Sequence, residues 1–274
     1  MTIFQSILLG IVQGLTEFLP ISSSGHLVIV PYLLGWDIPP QDAFVFDVIV
    51  QVATLVAVIA YFWSDLIVIL KGLYTGIKEK QPMHNPHARL GIYIIIATIP
   101  AGLIGLLIKD AVEQAFSNPI ATSILMLVTA GLLIMAEKVG ARNRNLDQLN
   151  WIDSVWIGLF QALAIFPGIS RSGSTISGAM TRNLEREPAA RFSFLMSIPI
   201  MLAAGGLAVL DLFGTQNPVN SILVFLPGMI AAAVVGYLSI RWLLHYLTHR
   251  PLYIFAIYCA VVGSLTLIIS LIRL

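Results

Sequence analysis

Long apolar stretches are the feature that most limits what this chain can fold into. A helix that crosses a lipid bilayer needs about 20 mostly apolar residues. Six stretches of roughly that length predict membrane-spanning helices: Phe44–Trp63, Ile92–Ile108, Ile120–Ala136, Phe194–Leu210, Ser221–Ile240 and Leu252–Leu271. No long hydrophilic segment separates them, so we expect residues 1–274 to form a single integral membrane domain.

The composition agrees with this interpretation and excludes a water-soluble protein. Hydrophobic residues make up 58% of the chain and charged residues 11%, with a mean hydropathy of +0.90. Soluble domains carry about 25% charged residues. The net charge of +1 provides no basic field for a nucleic-acid partner. A single cysteine also excludes a disulfide framework.

Two further apolar stretches are interrupted by serine and glycine. The first, Ile3–Ile21, runs into the sequence PISSSGH and resumes at Leu27–Leu34. The second, Val155–Phe166, runs into PGISRSGST and resumes weakly. Such backbone survives at membrane depth only when it is buried in protein or lines a wet cavity. Both stretches are therefore predicted to be re-entrant helix–loop–helix hairpins.

The two hairpins recur at a fixed spacing. Gln13 and Gln161 each stand nine residues before a serine loop, an offset of 148 residues. Three apolar stretches follow each hairpin, so the chain divides into halves at about 1–140 and 150–274. Because three is an odd number of crossings, the second half enters the membrane from the opposite face. We predict an all-α polytopic membrane protein built as an inverted-topology repeat, with its functional site near the midplane.

Positive charges predict the orientation of these spans. If the first hairpin enters from outside, four segments face the cytoplasm: 64–90, 138–154, 182–191 and 241–250. They hold twelve lysines and arginines, whereas the opposite side keeps only Lys109 and Arg273. The positive-inside rule then places both termini outside, with the Glu17 hairpin opening outward and the Arg171 hairpin opening inward.

Polar side chains within the hairpins are the candidates for function. Gln13 and Glu17 are four residues apart and share one face of a helix. A carboxylate in an apolar stretch is costly enough to indicate function, the alternative being a protonated Glu17 bound to a neighbouring helix. Arg171 is the only arginine or lysine in the apolar hairpins, and its guanidinium suits phosphate. An ion pair with Glu17 is the alternative role for Arg171.

The two serine–glycine loops favour an anion site. Ser22–Gly25 and Ser170–Thr175 present hydroxyls followed by the start of a helix, whose free amides bind phosphate. One such loop alone is usually a turn, but two at membrane depth, one of them with arginine, are a stronger signal. His26 follows the first loop as a candidate acid, base or nucleophile. The alternative is an ordinary hydrogen-bonded loop histidine.

The strings QGLTEFLPISSSGH and PGISRSGSTISG resemble the two signature loops of the undecaprenyl-diphosphate phosphatase family, also called bacitracin-resistance proteins. The resemblance extends over nearly the whole chain. It implies an enzyme that removes one phosphate from the diphosphate of a C55 polyprenyl carrier. The carrier is thereby recycled for cell-wall synthesis, which gives bacitracin resistance. The resemblance also implies a divalent cation, Mg²⁺ or Ca²⁺, and a location in the bacterial inner membrane.

Matched to the family motifs, the site residues form three groups. The expected catalytic residues are Glu17, His26, Ser23 and Arg171. The expected phosphate-binding residues are Ser22, Ser24, Gly25, Ser170, Arg171, Ser172 and Thr175. The expected metal ligands are Glu17 and Gln13, although many family members carry glutamate in place of this glutamine. Because one carboxylate binds a cation less tightly than two, substrate oxygens are expected to help. His26, a serine such as Ser23, and an activated water all remain open as nucleophile.

A secondary transporter or flippase for an anionic lipid is the alternative function. Inverted repeats with broken helices at the midplane are a transporter signature. Release of inorganic phosphate from a prenyl diphosphate separates the two functions. The expected partners are the polyprenyl diphosphate, the membrane and, in a homodimer, a second copy of the chain.

Overall fold

The computed structural model describes residues 1–108, 118–213 and 218–273. Within these residues the chain forms eleven α-helices and no β-sheet, which confirms the all-α prediction. The helices are α1 (Ile3–Phe18), α2 (Ser23–Leu34), α3 (Pro40–Tyr61), α4 (Trp63–Lys78), α5 (Pro86–Leu107), α6 (Pro119–Val139), α7 (Trp151–Leu163), α8 (Arg171–Thr181), α9 (Arg186–Phe213), α10 (Pro218–Leu247) and α11 (Tyr253–Ile272).

Helix pairs α1–α2 and α7–α8 form the two predicted hairpins. A serine caps the returning helix in each of them. The Ser22 hydroxyl accepts a hydrogen bond from the Gly25 amide at 3.2 Å, and the Ser170 hydroxyl accepts one from the Gly173 amide at 3.0 Å. Serine is a favoured cap because its oxygen satisfies one of the first free amides of the helix. The caps stand at equivalent positions in the two halves, as the spacing of the loops predicts.

The two halves interleave. Helix α1 of the first half packs along α10 of the second, and α7 of the second half packs along α5 of the first. Glycine permits close approach in both pairs, because a Cβ on Gly10 would strike Gly228 and one on Gly158 would strike Ala97. The last helices of the halves, α6 and α11, pack on each other. Helices α1, α5 and α6 of the first half correspond to α7, α10 and α11 of the second. Exchanging the halves therefore gives the same helix pairs, as expected for the inverted repeat.

Several helices are long and apolar enough to cross a membrane. Among the described residues they are α5, α6, the Leu223–Leu247 part of α10, and α11. Helices α3 and α4 meet the same criterion as a pair, with a bend of 76° between them. Helix α9 contains the predicted span Phe194–Leu210, but side chains 204 and 207–210 lie outside the description. The chain is a multi-pass membrane protein.

Helix α4 lies largely within the segment 64–90, where hydropathy predicted no helix. Its buried residues Ile69, Gly72 and Gly76 recur at helical spacing, and the helix packs on α5. The exposed Lys71 and Lys78 lie on the same helix and interrupt the apolar pattern. Hydropathy therefore missed a helix whose packing face is narrow and consists largely of glycine.

Ion pairs join the predicted cytoplasmic segments at one end of the bundle. Arg182 binds Asp153, at the start of α7, with an N–O distance of 2.7 Å. Arg186, at the start of α9, binds Glu137, at the end of α6, at 2.6 Å. Both carboxylates are buried, and a buried pair is costly to break by removing one partner. Segments 138–154 and 182–191 are thus held on the same side.

Candidate active site

The tips of the two hairpins contact each other. The Ser172 hydroxyl, at the start of α8, donates to the Leu19 carbonyl, just after α1, at 2.9 Å. A Cβ on Gly25 would lie 3.3 Å from the Cα of Gly168, so the two loops are also in van der Waals contact. Helices α2 and α8 both begin at this junction. The free amides of their first turns provide a positive electrostatic environment there.

Glu17 is the carboxylate at the junction of the hairpins. It is 8% exposed and accepts three side-chain hydrogen bonds. Its Oε1 accepts from Arg171 at 2.6 Å. Its Oε2 accepts from the Ser23 hydroxyl at 2.6 Å and from the Gln13 amide at 2.8 Å. The predicted face shared by Gln13 and Glu17 is confirmed, and so is the ion pair that sequence left as an alternative role for Arg171.

Arg171 retains one free donor for a ligand. Its Nη2 binds Glu17, while its buried Nη1 has no hydrogen-bond partner within the described residues. Leaving a buried donor unsatisfied costs about 1–3 kcal/mol. A phosphate oxygen would satisfy it through a charge-assisted hydrogen bond. The structure therefore combines an unsatisfied cationic donor with the start of α8.

Ser23 and Arg171 occupy equivalent positions in the two halves. Ser23 is the first residue of α2 and Arg171 is the first residue of α8. The position equivalent to Glu17 in the second half is Ile165, which has no ionisable group. The first hairpin thus supplies the Ser23 hydroxyl and the Glu17 carboxylate, and the second hairpin supplies the Arg171 guanidinium.

Ser23 is the hydroxyl that contacts the carboxylate. Both Ser23 and Ser24 are partly exposed, but within the described residues only Ser23 forms a hydrogen bond with Glu17. The Ser24 hydroxyl lies 3.5 Å from that of Ser22. A serine hydroxyl within hydrogen-bond reach of a carboxylate has the geometry of a nucleophile and its base.

The other hydroxyls of the predicted phosphate-binding group hold the loops in place. Ser22 and Ser170 cap their helices, and Ser172 binds the opposite loop. Thr175 lies one turn into α8, where its hydroxyl contacts that of Ser193 in α9 at 2.6 Å. These four residues lie at or near the junction, and their binding of phosphate stays a prediction. In the part of the chain that the structure describes, their hydroxyls do not bond to the carboxylate.

His26 is buried beside the first loop and, within the described residues, forms no hydrogen bond with Glu17. Its Nδ1 lies 2.7 Å from the Ser22 carbonyl, and its Nε2 lies 2.8 Å from the hydroxyl of Tyr258 in α11. Both ring nitrogens are therefore occupied. Among the described residues, neither forms a hydrogen bond with Ser23 or Arg171.

The site offers few ligands for a divalent cation. Within the described residues, no group of three or more histidine, cysteine or acidic side chains has a suitable arrangement. The buried Oε1 of Gln13, however, has no hydrogen-bond partner among them. It lies on the side chain whose amide binds Glu17. These residues fit a cation that binds together with phosphate oxygens, because Ca²⁺ and Mg²⁺ both accept carbonyl, carboxylate and phosphate ligands.

Sequence reasoning missed three residues that hold the site together. The hydroxyl of Thr129 in α6 donates to the Gly168 carbonyl and accepts from the Ser170 amide, both at 3.0 Å. Ser193 binds α8, and Tyr258 binds His26. All three lie in apolar helices, where a single hydroxyl carries no local signal of its partner.

Comparisons with known proteins identify the family of this chain. Residues 6–265 match the family model described as bacitracin resistance protein BacA. A protein of Thermomicrobium roseum named undecaprenyl-diphosphatase is 40% identical, with 98% of each chain covered. Proteins of the same name from Methanosphaera stadtmanae and Chlorobaculum tepidum are 41% and 43% identical over at least 95% of each chain. A match of this extent, on a chain whose two signature loops meet around Glu17 and Arg171, places it in the bacitracin resistance protein family.

Proposed function

We infer that this protein is an undecaprenyl-diphosphatase. It hydrolyses undecaprenyl diphosphate to undecaprenyl phosphate and inorganic phosphate. The observation that carries this conclusion is the contact of Glu17 with both Ser23 and Arg171. The contact joins a nucleophile, a base and a phosphate-binding cation at one point, and the relatives' names supply the substrate. Recycling of the lipid carrier and resistance to bacitracin follow from this reaction.

Ser23 is the nucleophile in this proposal. Its oxygen attacks the terminal phosphorus while its proton passes to Glu17, which lies 2.6 Å away. The bond from that phosphorus to the bridging oxygen breaks, and undecaprenyl phosphate leaves with the proton from Glu17. Water then cleaves the phosphoserine by adding hydroxide to phosphorus and a proton to the Ser23 oxygen.

The diphosphate is held by groups from both hairpins. Arg171 Nη1 and the first amides of α2 and α8 donate to its oxygens. Charge develops on these oxygens during phosphoryl transfer, so positioned donors lower the barrier. Glu17 and Gln13 would hold a divalent cation, which would supply further neutralisation of the phosphate charge. The isoprenoid tail lies among the helices, facing lipid.

Phosphate release from a purified sample tests the function directly. Protein in detergent is incubated with undecaprenyl diphosphate, and inorganic phosphate and undecaprenyl phosphate are both quantified. We expect equal amounts of the two products. A transporter or flippase would move the lipid across a vesicle membrane and release no phosphate, which would contradict the proposal.

Replacement of Arg171 by lysine tests whether the two guanidinium donors, Nη2 on Glu17 and Nη1 free for phosphate, are both needed. Arg171→Lys keeps the charge and loses the planar pair of donors. Hydrogen bonds to charged groups contribute about 1.5–3 kcal/mol, so we expect turnover to fall by about 10- to 100-fold. This loss should be nearly as large as that of Arg171→Ala. Near-normal turnover by the lysine variant would show that Arg171 acts only as a point charge.

Replacement of Gln13 by glutamate tests the cation site. Gln13→Glu adds a second carboxylate, and we expect the Mg²⁺ or Ca²⁺ concentration for half-maximal activity to fall about tenfold, since charge count tunes affinity. Activity is measured against free cation concentration after treatment with a chelator. Gln13→Met, which removes the oxygen, is the control and should raise the required concentration. Unchanged metal dependence in both variants would remove Gln13 from the site.

The protein lies in the plasma membrane with the Glu17 hairpin opening outward in this proposal. The charge distribution supports that orientation. We expect Asp37 outside and Lys78 and Asp147 inside, and all three are exposed. In a Cys259→Ala background, single cysteines at these positions are treated with a membrane-impermeant thiol reagent on intact cells. Only the Asp37→Cys variant should react, and all three should react after permeabilisation.

The reverse labelling pattern would invert the topology and place the Glu17 hairpin on the cytoplasmic side. Glu113 and Asn217 are two further positions expected on the outer side of the membrane. Neither belongs to the residues that the structure describes. Arg144 is also a cytoplasmic position by the charge count. It is a poor labelling site, because its guanidinium binds the buried carboxylate of Asp153.

A further inference from the structure

We propose that Tyr258 is a positioning residue for Ser23, acting through His26 and the Ser22 turn. The inference rests on the function proposed above. Tyr258 lies on α11, 232 residues from His26 in sequence. The two rings are stacked, with centroids 5.6 Å apart and planes within 13°. The Tyr258 hydroxyl lies 2.8 Å from His26 Nε2, so the ring is held both by its face and by its far nitrogen.

His26 in turn binds the turn that precedes Ser23. The Ser22 carbonyl accepts from both the ring Nδ1 of His26 at 2.7 Å and the backbone amide of His26 at 3.2 Å. Since a carbonyl can only accept, Nδ1 carries the proton. Nε2 is then the nitrogen available to Tyr258. The imidazole thus bridges α11 and the first hairpin loop.

The turn at Ser22 needs such support. Ser22 has a φ of +70°, in the region that residues with a Cβ rarely occupy. Such a conformation persists only where surrounding contacts hold it. Its direction determines where α2 begins, and the first residue of α2 is Ser23, whose hydroxyl must reach Glu17. Tyr258, His26 and Ser22 therefore form one continuous path to the nucleophile.

The second hairpin shows that this path is not a general feature of the loops. Ser170, the equivalent of Ser22, has an ordinary φ of −67°. The residue equivalent to His26 is Ser174, whose hydroxyl donates to the Phe160 carbonyl within the same hairpin. Only the loop that carries the nucleophile combines a left-handed residue with an imidazole. We therefore assign His26 to positioning, because both of its nitrogens are used to hold the loop.

Two substitutions of His26 separate positioning from acid–base chemistry. An asparagine amide can donate from nearly the place of Nδ1, whereas a glutamine amide reaches the place of Nε2. If His26 holds Ser22, His26→Asn should keep at least fivefold more turnover than His26→Gln. If Nε2 acts on substrate, asparagine should be as inactive as glutamine or worse. That second outcome would overturn the proposal.

Tyr258→Phe is the direct test, because it keeps the stacked ring and removes the hydroxyl. We expect kcat for phosphate release to fall about tenfold with KM nearly unchanged, since loop placement affects attack more than lipid binding. Tyr253→Phe is the matched control. It lies on the same helix with similar exposure, 40% against 41%, and its hydroxyl forms no hydrogen bond among the described residues. Both variants should unfold at the wild-type temperature.

The double variant Tyr258→Phe/His26→Asn completes the test. Asparagine lacks the nitrogen that Tyr258 binds, so the double variant should be no less active than His26→Asn alone. If the double variant instead loses the product of the two single-variant losses, Tyr258 and His26 act independently. That result would overturn the proposed path from Tyr258 to Ser23. Wild-type turnover by Tyr258→Phe would also overturn it and leave the phosphatase function intact. Absence of phosphate release from the wild type would instead remove the proposed function itself.

Discussion

Replacement of Ser23 by alanine is expected to lower phosphate release by about 1000-fold or more, because removal of a catalytic nucleophile costs that much or more. The physical reason is the 2.6 Å contact between Ser23 Oγ and Glu17 Oε2, which makes this hydroxyl the one prepared for attack. The measurement is the initial rate of phosphate release at saturating lipid. Acid quenching of wild-type protein with substrate labelled on its terminal phosphate should trap label on Ser23.

Ser24→Ala is the matched control for this prediction. Ser24 is adjacent, has similar exposure, and lies 3.5 Å from the Ser22 hydroxyl. We expect it to lose less than tenfold. If Ser23→Ala keeps substantial activity while label appears on another residue or on none, the nucleophile is a different group or water.

Replacement of Glu17 by glutamine is expected to lower turnover by about 100-fold or more, in the range seen when one electrostatic stabiliser is lost. Glutamine keeps the size of the side chain but cannot take the Ser23 proton or neutralise Arg171, whose Nη2 lies 2.6 Å from the carboxylate. Turnover and the dependence on Mg²⁺ or Ca²⁺ are measured together.

Because Arg171 loses its charged partner in Glu17→Gln, the thermal unfolding of this variant must be compared with wild type. Glu79→Gln, at an exposed position far from the hairpins in sequence, is the control and should keep full activity. Retained activity of Glu17→Gln with normal metal dependence would remove Glu17 from the site.

Local sequence was sufficient to locate the hairpins and their polar residues. Serine and glycine interrupt apolar stretches at equivalent positions, and the Ser22 and Ser170 caps lie where that interruption predicts them. The sequence also indicated an ion pair between Glu17 and Arg171, as the alternative to phosphate binding by Arg171. Two opposite charges in apolar surroundings stabilise each other best when they are in contact.

The remaining parts of the site depend on contacts between distant residues. Nothing near Tyr258 in sequence indicates a histidine 232 residues away. Thr129 is one hydroxyl in an apolar helix, yet it holds both Gly168 and Ser170. The orientation of the His26 ring, which determines whether it is a base or a positioning group, follows from these contacts. Helix α4 was not predicted for a different reason. Its packing face consists mainly of glycine, which contributes little hydropathy.

The equivalence of Ser23 and Arg171 means that the site depends on a difference between the two halves. A protein made of two copies of the first half would place two serines and two glutamates at the junction, with no arginine to receive a diphosphate. Two copies of the second half would give two arginines with neither nucleophile nor base, because Ile165 stands at the position equivalent to Glu17. Neither symmetric arrangement would bring a hydroxyl, a carboxylate and a guanidinium together at the junction. The site therefore requires two hairpins that keep the same backbone plan but carry different side chains.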